Sequence, residues 1–232
     1  MTLRADLHVH TTYSDNFSTP LQVLRTAARR GLDAVAITDH DTIEGALEAA
    51  VAAQSDPSLP TVIIGEEVSS SSGHILGLFL QQRVEPGLSA ADTVAAIHAQ
   101  GGLAIAAHPF WRVGISSLGT AFLDALPLDG MEVANGAPVP SMQRANALAA
   151  RHQSESGLSA TGGSDAHHAL AVGWSHTCFP GDTDIRLAHF LRAALANGTT
   201  HPGRLFVNPF DLAHYAVRGL RSHGHGLFRV AF

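Results

Sequence analysis

Short apolar runs of a strand's length recur along this 232-residue chain, and most of them have a histidine or a carboxylate at or next to one end. Leu3 to His10, "LDAVAIT", "TVIIGEEV", "HILGLFL", "LAIAAH", "GMEVAN" and "LSATGGS" read as strands, and segments of helical spacing separate most of them. Near-continuous apolar strands alternating with helices predict a mostly parallel sheet covered by helices, either open or closed into a barrel. About seven strands in about 200 residues suits a small barrel. Ser18 or Thr19 is placed to cap a helix with Pro20 in its first turn and Gly31 at its stop, and Ser89 caps "AADTVAAIHAQ". A helix over "SMQRANALAARH" and a last one near Asp184 to Ala196 complete the pattern. One connection breaks the alternation. Only Val68 to Gly73 separates "TVIIGEE" from "HILGLFL", whereas parallel neighbours need a dozen or more residues between them. The returning strand is therefore expected to run antiparallel, with His74 beside Glu67. Regularity fades near residue 200, so residues 1–200 are expected to form the barrel and 201–232 a tail packed on it.

Composition narrows the chemistry. With 45% hydrophobic and 15% charged residues the chain can bury a core and is not disordered. The formal charge is −6, and no basic cluster stands out, which argues against duplex nucleic acid as a partner. All fourteen basic residues are Arg. The absence of Lys removes Schiff-base chemistry, a lysine base and a Walker-type phosphate loop. Cys178 is alone, so neither an internal disulfide nor a cysteine zinc ribbon forms. "MTLRADLHVH" does not read as a signal peptide, and no apolar run reaches the roughly 18 residues of a membrane span. The expectation is a cytoplasmic protein with no membrane partner.

Fifteen histidines are the abnormal number. The first strand leads into His8, His10 and Asp15, the second into Asp39, His40 and Asp41, and the third carries Glu66 and Glu67. His74 opens the returning strand, His108 closes "LAIAAH", and Asp165 and His167 follow "LSATGG". Loops at the carboxyl ends of parallel strands are where a rigid barrel carries its chemistry. Histidine and carboxylate repeated there are the donor set of a divalent-metal site.

In order along the chain these motifs are HVH, SDN, TDHD, GEEVS, GHILG, AHP and GGSDAH, and the set resembles the PHP (polymerase and histidinol phosphatase) domain phosphoesterases. That resemblance implies a distorted (β/α)7 barrel with the metal site at the carboxyl ends of its strands. It also implies three divalent ions, Mn²⁺, Zn²⁺ or Fe²⁺. By motif, one ion would take His8, His10, Glu67 and Asp165. A second would share Glu67 and take His74 and His108, and a third would take Asp15, His40 and His167. Asn16 departs from the Gly that many relatives have there, which alters a loop and not a ligand. Strand alternation sends Glu66 and Glu67 to opposite faces, and the family pattern selects Glu67.

Asp6 is expected to orient a ligating histidine, and Asp39 and Asp41 to support or cap, with Asp41 as N-cap before "TIEGAL". Arg112 and Asn135 are candidate phosphate contacts, and His168 is a candidate proton donor. His98, His152, His189 and His214 read as ordinary helix residues, and His223 and His225 as loop residues. The implied function is hydrolysis of a small phosphorylated metabolite or nucleotide, by attack of a metal-bound hydroxide on phosphorus with release of inorganic phosphate. Two alternatives stand beside it: a phosphodiesterase acting on a cyclic phosphate or an oligonucleotide end, and a non-catalytic metal-stabilised module. A module of that kind can lose ligands, and here none is missing.

Overall fold

A computed structural model describes residues 1–112, 116–181, 187–205, 207, 209–213 and 215. His214, His223, His225 and residues 216–232 of the expected tail lie outside the described residues. The strands are β1 (Thr2–Val9), β2 (Ala34–Ile37), β3 (Thr61–Ser70), β4 (Gly73–Leu78), β5 (Leu103–Ala106), β6 (Gly130–Asn135), β7 (Ala160–Gly163), β8 (Ser175–Pro180) and β9 (His201–Arg204). The helices are α1 (Pro20–Arg29), α2 (Glu44–Ser55), α3 (Ala90–Ala99), α4 (Thr120–Ala125), α5 (Pro140–Ser156) and α6 (Leu187–Ala196).

All nine strands form one sheet in the order β7-β6-β5-β4-β3-β2-β1-β8-β9. Only β4 and β8 oppose the common strand direction. The sheet curls until its two ends nearly meet. Beyond β7, Ala166 bridges Val9 in parallel, the Asp165 N–H donates to the His8 carbonyl at 2.8 Å, and the His10 N–H donates to the Ala166 carbonyl at 3.2 Å. The result is a nearly closed, mostly parallel barrel of the (β/α)7 type. The short β3–β4 connection is antiparallel as its length requires, with Ser69 opposite His74.

Two strands go beyond the seven expected. "SHTCFP" forms β8, which runs against β1, and "HPGR" forms β9, which runs against β8. The segment after residue 200 therefore begins with a strand of this sheet. In β8 the polar Ser175, His176 and Thr177 break the apolar run, and β9 carries no apolar side chain larger than proline, so hydrophobic patterning had little to register there.

Local rules account for the helix starts. Thr19 accepts from the Gln22 N–H while the Gln22 side chain accepts from the Thr19 N–H, a reciprocal capping box in front of Pro20. Ser89 caps α3 by accepting from the Asp92 N–H at 3.1 Å. Asp41 does not cap α2. That helix begins at Glu44 behind Ile43, and Asp41 instead accepts from the Ser69 N–H at 2.7 Å, binding the end of β2 to β3. No helix among the described residues is long and apolar enough to cross a membrane.

Alternation divides the core. Leu3, Ala5 and Leu7 of β1 pack with Ile63, Leu78, Ile105 and Phe179, and α6 adds Leu191. Val35 and Ile37 face the other way, onto Val23 and Leu24 of α1 and Ala46 of α2. Phe179 is the largest fully buried side chain of the first group, at 0% exposure. Replacing it with Ala is expected to cost about 3–5 kcal/mol through lost contacts and an unfilled cavity. Urea denaturation should show this as a lower midpoint with an unchanged slope.

Candidate metal centre

Glu67 sits near the carboxyl end of β3, at 1% exposure, with five imidazoles around its two oxygens. His74 Nδ1 is 2.7 Å and His108 Nε2 3.0 Å from Oε1. His8 Nε2 is 3.0 Å, His10 Nε2 3.2 Å and His40 Nδ1 3.5 Å from Oε2. The two oxygens thus face different histidine sets, as a bridging carboxylate must.

The spacing around Oε2 bears directly on metal binding. His8 Nε2 is 3.2 Å from His10 Nε2 and 3.4 Å from Asp165 Oδ1, and His10 Nε2 is 3.2 Å from the same oxygen. Donors held tetrahedrally at about 2.0–2.1 Å from one ion stand about 3.3–3.4 Å apart. His8, His10, Glu67 and Asp165 therefore already approximate the corners of such a site. A second group, His10, Asp15, His40 and His167, offers donor atoms all within 4.8 Å of one another, as does the trio His40, Glu67 and His74. His167 Nε2 lies 3.0 Å and His40 Nε2 3.7 Å from Asp15 Oδ2. His108 joins through Glu67 Oε1, its ring centroid 5.6 Å from that of His74, and its buried Nδ1 has no partner among the described residues. All nine side chains singled out by motif converge on one end of the barrel. The donor set fits divalent cations: neutral imidazoles and carboxylates, mostly buried, with no lysine or arginine among them.

Electrostatics shows what the arrangement lacks when only protons are available. Burial opposes a charged His8, yet Asp165, Glu67 and Glu132 outweigh it and raise its pKa well above the ordinary imidazole value. His10 overcomes the same burial through Asp165 and Glu67 and reaches about 10. His74 and His167 are also raised against burial, by Glu67 and Asp15 respectively, whereas burial wins at His40 and lowers it. Despite burial, the surrounding histidines hold Asp15, Glu67 and Asp165 well below the usual carboxylate range. Protons on imidazole are standing in for cations.

A second layer fixes these groups. Asp39 accepts from the Thr11 N–H and hydroxyl, each at 2.6 Å, and from Ser14 Oγ at 2.7 Å, which shapes the loop leading to Asp15. Gly45 leaves room for it, since a Cβ there would lie 2.2 Å from Asp39 Oδ2. Asn16 donates to the carbonyls of His10 and Ala166, both at 2.7 Å, so the residue that departs from the family pattern fastens two ligand loops together. Asp165 (φ 52°) and His108 (φ 26°) hold strained backbone conformations of the kind that collects at functional sites.

Several expectations need correction. Asp6 orients backbone, not a histidine ring: its carboxylate accepts from the N–H groups of Ser164 at 2.8 Å and Gly173 at 2.6 Å. Burial raises its pKa to about 6. The partner of the His8 ring is Glu132, whose Oε1 lies 3.3 Å from Nδ1 while its Oε2 accepts from the His108 N–H at 2.9 Å. Glu132 escaped notice although a carboxylate in the middle of the apolar run "GMEVAN" was a visible signal. Asn135 is 2% exposed and donates to Glu132 Oε2 at 2.9 Å and Asp165 Oδ2 at 3.0 Å, so its amide is tied to a proposed ligand. His168 Nδ1 accepts from the Leu170 N–H at 3.1 Å, and the side chain lines a groove beside the histidine cluster. Arg112 is exposed in the loop after His108.

Residues 6–134 match the family profile described as PHP domain, and residues 143–200 match one described as PHP-associated. An uncharacterised protein of Methanocaldococcus jannaschii is 40% identical over 144 residues, 57% of this chain and 82% of that protein. A 3′,5′-nucleoside bisphosphate phosphatase of Chromobacterium violaceum is 43% identical over 89 residues, which is 37% of this chain and only 30% of that enzyme's length. Among solved structures, a two-domain protein of Bacteroides vulgatus, described as containing a predicted PHP-like metal-dependent phosphoesterase, superimposes with a TM-score of 0.71 at 22% identity. The superposition covers 88% of this chain and 65% of that one. At that identity the likeness is one of fold.

Two outcomes follow from the geometry. Adding divalent metal to metal-free protein at pH 7 should release protons, because the raised imidazoles must lose them to coordinate. Calorimetry in buffers of different ionisation enthalpy measures the number, and zero release would contradict the protonated cluster. Glu132→Gln should weaken metal binding about 10–100-fold with the fold intact, as loss of an outer partner of a ligating histidine does. Equilibrium dialysis against a chelator series reads it.

Proposed function

The chain belongs to the PHP-domain family, and on that premise we propose that it is a divalent-metal-dependent phosphoesterase. Its substrate on this reading is a small phosphorylated metabolite or nucleotide, and inorganic phosphate is a product. The observation that carries the reading is the convergence of five imidazoles on the Glu67 carboxylate, with Asp165 and Asp15 completing the donor groups. His8, His10, Glu67 and Asp165 would hold one ion, Glu67, His74 and His108 a second, and Asp15, His40 and His167 a third. Mn²⁺, Zn²⁺ and Fe²⁺ all accept this ligand chemistry. Bound ions of this kind supply Lewis acidity and activate water at neutral pH.

The protein's own contribution is placement. Glu132 and Asn135 keep His8 and Asp165 from turning away from the centre, and Asp39 does the same for the Asp15 loop. The edge of Trp111 rests against His108 at a centroid distance of 5.6 Å, and its indole N–H donates to Ser141 Oγ at 3.1 Å, which gives the site a firm wall. Arg112, exposed on the same loop, is the side chain we assign to neutralising phosphate charge. Completeness of the ligand set favours catalysis over a module kept for stability alone. A match to a bisphosphate phosphatase supports phosphate esters as the substrate class.

Phosphate release by protein reconstituted with Mn²⁺ tests the reading across nucleoside monophosphates and bisphosphates, a cyclic phosphate and an aryl phosphate. His167→Asn should lower release by at least about 10–100-fold, since losing a ligand costs no less than losing its outer partner. Absence of release from every ester, with bound metal confirmed by elemental analysis, would overturn it.

A further inference from the structure

Helix α2 is built almost entirely of small apolar residues. Outside Glu44, Glu48, Gln54 and Ser55, every residue from Glu44 to Ser55 is Gly, Ala, Leu or Val. A helix that is apolar on all sides is ordinarily covered on all sides. The inner side of α2 is covered, with Gly45, Ala46 and Ala49 buried against the barrel. The outer side is open: Leu47 is 44% and Val51 64% exposed, one turn apart on the same face. Tyr13, 46% exposed, lies across the start of the helix and donates its hydroxyl to Glu48 at 2.7 Å. A Cβ at Gly45 would fall 3.2 Å from its ring, so bare backbone admits the ring there. Apolar side chains exposed singly need no explanation, but an aromatic ring and two aliphatic groups on one helix mark a contact surface.

Charge identifies the partner that fits this surface. Helix α1 packs beside α2 and presents Arg25 and Arg29, both exposed and four residues apart. Helix α2 presents Glu44 and Glu48, exposed at the same spacing. Like charges at this spacing disfavour each helix taken alone. The opposite signs do not cancel within one chain. Among the described residues, arginine forms ion pairs at Arg30, Arg83 and Arg151, and neither Arg25 nor Arg29 does so. Arg29 donates instead to Thr26 Oγ1 at 2.8 Å, and Glu44 accepts from Thr42 Oγ1. As crossovers between the parallel strands β1, β2 and β3, the two helices run in one direction. A twofold axis along that direction sets α1 of one copy against α2 of a second, and the reverse, without turning either helix end for end.

We propose that the α1–α2 face is a self-complementary interface on which a second copy of this chain docks. Arg25 and Arg29 of each copy meet Glu44 and Glu48 of the other, and Leu47, Val51 and Tyr13 are covered between them. A twofold contact of this kind uses the same patch on both chains. Helices about 15 and 18 Å long, with the Tyr13 loop, supply a patch toward the low end of stable interfaces, whose totals start at about 1,200 Å². Association is therefore concentration-dependent. Tyr13 stands two residues before Asp15, so the interface ends beside a loop that carries a proposed metal ligand.

Sedimentation velocity of the full chain over a wide concentration range is expected to show a one-chain species passing into a two-chain species. Leu47→Glu/Val51→Glu should weaken the association at least about 10-fold. Charge reversal gives a sharper readout. Arg25→Glu/Arg29→Glu puts acids on both helices, and Glu44→Arg/Glu48→Arg puts arginines on both, so each variant alone should stay a single chain. Mixed in equal amounts, the two should form a two-chain species, because each supplies the charge that the other lacks. Unchanged circular dichroism checks that every variant is folded. A one-chain mass for wild type at every concentration would overturn the proposal and leave this face to a different protein. So would association that survives the substitutions, or reversed variants that remain apart on mixing.

Discussion

A buried carboxylate surrounded by five imidazoles is the constraint on which the rest of this molecule depends. Glu67 is costly to bury, and among the described residues no arginine pairs with it. Its neighbours arrive from β1, from the loop after β2, from β4 and from the end of β5, so the strands that carry them must finish at a common level. The antiparallel return of β4 serves this requirement. A parallel β4 would have to begin at the opposite end of the barrel, and His74 could not then stand 2.7 Å from Glu67.

Precision at the centre is obtained from groups that are not themselves proposed ligands. Glu132 spans the His8 ring and the His108 backbone, and Asn135 spans Glu132 and Asp165. Bare backbone also has a part: at Gly163 a Cβ would fall 2.4 Å from the Cβ of His8 and 2.8 Å from Glu132 Oε1. The approach of β7 to β1, which nearly closes the barrel, is possible only because that position carries no side chain. Sheet closure and site assembly are the same event.

How much of this was legible before any coordinates is uneven, for physical reasons. Strand ends announce themselves when histidine and aspartate interrupt apolar runs, but the family resemblance was needed to choose the nine among neighbours such as Glu66, Asp39 and Asp41; the reversal at β4 followed from loop length. Supporting contacts are harder, because they depend on register. Asp6 and Glu132 are both carboxylates within apolar strands, and only the fold tells that the first serves backbone N–H groups and the second a histidine ring. Asp41 has the composition of a cap but lies too far from the first turn of α2. Strands β8 and β9 lack the near-continuous apolar run that marks the others.

The partners of one site also lie very far apart along the chain. His8 and Glu67 are 59 positions apart, and His10 and Asp165 are 155 apart. An ion held by all four would therefore act as a multi-pronged cross-link, removing loop freedom from the unfolded chain much as a set of disulfides does, in a protein whose single cysteine can form none. Loop entropy grows only slowly with length, so the longer closure costs little more than the shorter one. An ion that binds this arrangement and not the unfolded chain stabilises it by mass action. Metal supply would then govern how long the folded barrel persists as well as what it can do.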